Sequence, residues 1–93
     1  MAKTITSAVR AIMKSAGKNQ LFTNKYKKCR TVKVYGTITA ATRERIIELG
    51  RTVGKNITVE TKVGLDYMRS HVTSYVTIVR IPGSATRDNI MPQ

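Results

Sequence analysis

The sequence predicts a small α+β domain, with two helices packed on one face of a single-layer sheet of about three strands, in the order α-β-α-β-β. Three features carry that prediction. Two segments space apolar residues three and four apart, as a helix with one buried side does. Three others, rich in Val, Ile and Thr, alternate or run apolar, as strands do. Glycine and proline punctuate the segments, and 93 residues suit one domain.

Thr6-Ser7 is placed to cap the first helix. Val9, Ile12, Met13 and Ala16 form its apolar stripe, Arg10, Lys14 and Ser15 lie off it, and Gly17 ends it. The expected span is about Ser7 to Ala16. Residues 18–30 hold no clean period and contain Asn19, Thr23 and Asn24, so they read as a loop with at most a short extended piece. From Arg30 to Ile38 a strand is expected, with Val32, Val34 and Ile38 on one face and Lys33, Tyr35 and Thr37 on the other. Gly36 marks a bulge or a close backbone approach.

The second helix is the clearest element. Thr39 or Thr42 caps it, Ile46, Ile47, Gly50 and Val53 form its buried side, and Gly54 stops it. The next segment, 57–63, alternates strictly: Ile57, Val59, Thr61 and Val63 against Thr58, Glu60 and Lys62. Residues 66–71 fit either a hairpin extension or one helical turn. Residues 72–81 are apolar on both faces, as in a central strand, and pair antiparallel with 57–63. Pro82-Gly83 closes that strand. The organisation is one basic domain over 1–83 and a flexible tail over 84–93, with no internal sequence repeat. Because so short a chain buries a modest core, a homodimer would stabilise it.

Charge is the unusual property. Seventeen Lys and Arg face five acids, for a net charge of +12. The first acid is Glu44, so residues 1–43 carry ten cations and no anion. Such a field opposes compaction, and a polyanionic partner relieves it. The densest stretch, 24–30, reads NKYKKCR. Lys25, Lys27, Lys28, Arg30 and Lys33 are the candidate phosphate contacts, assisted by Lys14 and Lys18. Tyr26 and Tyr35 are candidate stacking residues, and Phe22 reads more as core. Lysine dominates and lacks the fork with which arginine reads guanine, so the patch suits backbone contact over base readout. The bland alternative is a solvated face or a protected sheet edge.

The expected function is therefore non-enzymatic nucleic-acid binding, to DNA or RNA. The alternatives are an interaction protein or inhibitor, of a kind some viruses encode, docking on an acidic enzyme surface, and a binder of an anionic nucleotide. The glycines make no phosphate-binding motif, and no zinc spacing or RNA-recognition signature occurs. Asp66, Ser70 and His71 are too close in sequence to read as a catalytic triad. Cys29 lies among cations that favour a thiolate, but reads as a small packing residue. No cofactor and no metal are expected. No apolar run is long enough to span a membrane. The basic amphipathic start has some presequence character, but its acid-free composition continues well past residue 18. A single cysteine and no secretory core point to a cytoplasmic setting.

Overall fold

The computed structural model describes residues 3–65, 73–83 and 86–91. The fold is α+β. Helix α1 (Ile5–Ser15) leads to strands β1 (Leu21–Lys25) and β2 (Cys29–Tyr35); helix α2 (Ala40–Val53) leads to β3 (Thr58–Leu65) and β4 (Thr73–Pro82). The connectivity thus repeats α-β-β twice, although the sequence shows no repeat. All pairings are antiparallel and the sheet order is β1-β2-β4-β3, which puts β2 and β4 at the centre and leaves β1 and β3 as edges.

Local chemistry sets the helix ends. Thr4, not Thr6 or Ser7, caps α1: its side chain accepts from the Ser7 backbone N–H at 3.0 Å. Thr6 is instead buried, and its N–H and hydroxyl both donate to Asn89 Oδ1, at 3.1 and 2.9 Å. At the other end Gly17 takes φ +86°, Gly17 N–H donates to Lys14 O and Lys18 N–H to Met13 O. This closure satisfies carbonyls the helix leaves open. Helix α2 starts on Thr39, which accepts from Thr42 N–H at 3.2 Å, and stops at left-handed Gly54.

Both helices cover one face of the sheet. Ile5, Val9 and Met13 of α1 and Ile46 of α2 meet Val32, Val34, Val79 and Ile81 of the central strands, with Ile57 at the margin. Ala16, expected in the α1 stripe, is exposed, while Ile47 and Val53 are half-buried. Register fixes the faces, since antiparallel partners point to the same side. Val32 pairs with Val79, and Val79 with Val59, so the alternation expected over 57–63 is the one observed.

Three further expectations change. Among the described residues the sheet has four strands, because the loop expected over 18–30 contains β1. An edge strand has one neighbour and needs no buried face, and four of the five β1 residues are exposed, so no apolar period announces it. The first predicted strand stops at Tyr35 instead of Ile38. Gly36 takes φ +93° and turns the chain while its N–H donates to Tyr75 O and its C=O accepts from Thr77 Oγ1. Over 86–91 the segment expected as a loose tail is docked. A 3-10 turn (Thr86–Asn89) buries Asn89 against Thr6, and Ile90 bridges to Thr4. The segment 66–71 lies outside the described residues.

Candidate nucleic-acid interface

Because both helices lie on one face, no described helix covers the opposite face of the sheet, although Thr31 there is only 4% exposed. Side-chain parity decides what it displays. Two rows cross all four strands there: Phe22–Lys33–Ile78–Glu60 and Asn24–Thr31–Arg80–Thr58. Tyr35 and Val76 continue the face beyond the first row, and Cys29 and Pro82 beyond the second. Phe22 packs its ring edge-on against Tyr35, with centroids 5.6 Å apart and planes at 79°. Lys33 Nζ stands 5.6 Å from the centre of the Tyr35 ring, in cation–π range. Beside this cluster an open groove runs across the strands, lined by Asn24, Tyr26, Thr31, Lys33, Ile78 and Arg80, with half-buried Cys29 on its wall.

The groove ends at the β1–β2 turn. Tyr26 N–H donates to Cys29 O at 2.8 Å, closing a tight hairpin that leaves Lys27 and Lys28 at its tip. Gly83 N–H donates to Lys28 O at 3.0 Å, so the tip is tied to the end of β4. Tyr26 is 54% exposed, and Lys25, Lys27 and Lys28 are exposed around it. At the far end of the hairpin, half-buried Lys18 follows α1 and lines a depression with Gln20 and Tyr35. Five β1 residues separate the two basic ends, a span of about 17 Å.

The candidate residues named from the sequence thus divide. Tyr26 and Lys33 line the groove, and Tyr35 abuts it. Lys27 and Lys28 flank one end and Lys18 the other, whereas Lys25, the register partner of Arg30, points from β1 to the helix side of the sheet and is exposed there. Lys14 is exposed on α1, in the helix layer and away from the groove. Arg30 is 6% exposed and shares the helix-covered face, paired with Ile81. Odd and even residues of β2 point opposite ways, so Lys33 and Arg30 cannot serve one surface. Arg10 is likewise engaged, donating to Thr23 Oγ1 at 2.7 Å.

Sequence reasoning passed over Arg80, Asn24 and Thr31, and assigned Phe22 to the core. The parity that unites Arg80 with Val76 and Ile78 is legible in β4. Which face the helices leave bare is not. Arg80 lies 3.5 Å from Glu60, which also reaches Lys62 at 3.6 Å, so one carboxylate offsets part of the positive charge on the β3 side, while no acid stands beside Lys27, Lys28 and Lys33 in the sequence. All three groups are about half exposed, and such pairs contribute little to stability.

Among the described residues no cluster of three or more His, Cys, Asp or Glu side chains could hold a metal, and no helix is long and apolar enough to cross a membrane. Asp66, Ser70 and His71 lie outside the described residues. No family model, curated protein or solved structure matches the chain.

Proposed function

We propose that this protein is a nucleic-acid-binding domain, not a catalyst, and that it grips a single strand on the uncovered sheet face. The observation that carries the reading is the groove itself. It joins an exposed tyrosine, a lysine and an arginine beside the Phe22–Tyr35 pair, and a lysine-rich turn closes one end. Bases stack on the aromatic faces, a contact that tolerates any sequence. Lys27 and Lys28 at one end, Lys33 in the middle and Lys18 at the other neutralise phosphates. Among the described residues lining the groove, Arg80 alone carries a guanidinium, turned partly toward Glu60. Sequence preference is therefore weak and affinity depends strongly on salt. The free thiol of Cys29 goes with a reducing, cytoplasmic setting.

Fluorescence anisotropy with labelled single-stranded DNA and RNA homopolymers, read at 50 and 200 mM salt, tests this. Four to six phosphate contacts predict an affinity loss of about a hundredfold between the two. No detectable binding at the lower salt refutes the function. Equal affinity for a duplex of the same length refutes the stacking geometry.

A further inference from the structure

The free edge of β3 carries a pattern of its own. Backbone groups alternate in direction along a strand. Tyr75 C=O faces the β2 side, where it accepts from Gly36 N–H, and Gly83 N–H also points that way. Residues 76, 78 and 80 therefore turn their backbone groups toward β3, where their partners are Lys62, Glu60 and Thr58. By the same alternation Val59, Thr61 and Val63 present their N–H and C=O groups outward, and among the described residues no strand pairs with them. The side chains from Thr58 to Val63 are exposed except for half-buried Val59. Val63, on the helix side, is 62% exposed.

We propose that a second copy of this chain pairs antiparallel with this edge, about a two-fold axis at Thr61. The edge is self-complementary in that register. Glu60 falls opposite Lys62 of the second copy, and Lys62 opposite its Glu60. Exposed Val63 falls against Val59 of the other chain, also twice, on the helix side. The outward groups of Val59, Thr61 and Val63 then close about six backbone hydrogen bonds. Neighbouring registers lack this match. An axis at Glu60 or Lys62 sets like charges opposite each other, and an axis at Val59 or Val63 leaves no Glu60–Lys62 pair.

The other edge lacks the same self-fit. β1 ends in Lys25 next to Lys27 and Lys28, and lysines at a sheet edge discourage pairing. For a chain of net charge +12, association requires a local place where charges alternate, and Glu60 and Lys62 supply one. Pairing by β3 keeps all helices on one side of the doubled sheet and both uncovered faces on the other. The two β2 strands then lie five strand steps apart, about 24 Å. The dimer stands on the edge alone and does not need the groove to bind nucleic acid.

Sedimentation velocity on the full, nuclease-treated chain from about 1 to 100 μM reads the proposal without any nucleic acid. The wild type self-associates to a dimer. Glu60→Lys and Lys62→Glu each weaken the dimer about tenfold or more, because attractive cross-strand pairs become repulsive, and the double exchange restores it. Thr61→Pro removes an outward N–H, which an edge strand tolerates, and abolishes dimerisation; Thr61→Ala keeps the N–H and keeps the dimer. Circular dichroism establishes that each variant is folded. A wild type that stays monomeric throughout overturns the proposal. So does a dimer indifferent to Thr61→Pro, or a double exchange that fails to recover.

Discussion

Tyr26 and Tyr75 are both about half exposed, yet they stand in different places. Tyr26 borders the groove at the basic hairpin, while Tyr75 pairs with Val63 on the helix side of the β3–β4 hairpin. Tyr26→Ala should reduce single-strand affinity roughly 5- to 150-fold, the equivalent of about 1–3 kcal/mol of stacking. Tyr75→Ala should leave it unchanged. Anisotropy titration of the two variants side by side checks the contrast, and equal losses would place the contact elsewhere. Composition cannot separate these residues, since both are tyrosines in polar, β-rich surroundings. Arg30 makes the same point in reverse. It belongs to the most basic stretch of the chain, and strand parity puts it under the helices while Lys33, three residues on, faces out.

At the scale of elements, legibility follows burial. Helices α1 and α2 show in the sequence because each buries one stripe, and β4 shows because it is covered by neighbours on both edges. Strand β1 does not show, since the hydrogen bonds of β2 hold it rather than a buried face of its own. Gly50 illustrates how an element depends on its neighbours. Helix propensity alone favours alanine over glycine by about 1 kcal/mol. A Cβ at this position would stand 2.9 Å from Lys55 O and 3.1 Å from Ile57 Cβ, where the chain folds back into β3. Gly50→Ala should therefore destabilise the fold by about 1–3 kcal/mol, read as a lower midpoint in urea unfolding. A stabilised variant would mean that the α2–β3 connection relaxes freely.

For the whole molecule, the question is where an excess of twelve charges goes. The ten cations of residues 1–43 do not converge on one surface. Lys3, Arg10, Lys14 and Arg43 belong to the helix layer, Arg30 is buried, and the remaining five surround the β1–β2 hairpin. Binding through the hairpin predicts unequal effects of equal charge removal. Lys27→Gln and Lys28→Gln should each lower the slope of log affinity against log salt by about 1. Lys14→Gln should leave the slope nearly unchanged. Titrations at four or more salt concentrations measure those slopes, and a uniform response would indicate a diffuse field instead of a seat.

By itself the sequence determined the α+β class, the two helices with their glycine stops, the antiparallel pairing of the segments that form β3 and β4, and the charge asymmetry. These follow from local rules: period, capping, and the count of ionised groups. Only the tertiary structure decided that a fourth strand forms, that Arg30 turns inward, that Asn89 fastens the C-terminal segment to α1, and that both described helices pack on one sheet face and leave the basic turn beside the other. Each of those depends on which surfaces meet across the chain, and a residue's neighbours in sequence carry no record of its neighbours in space.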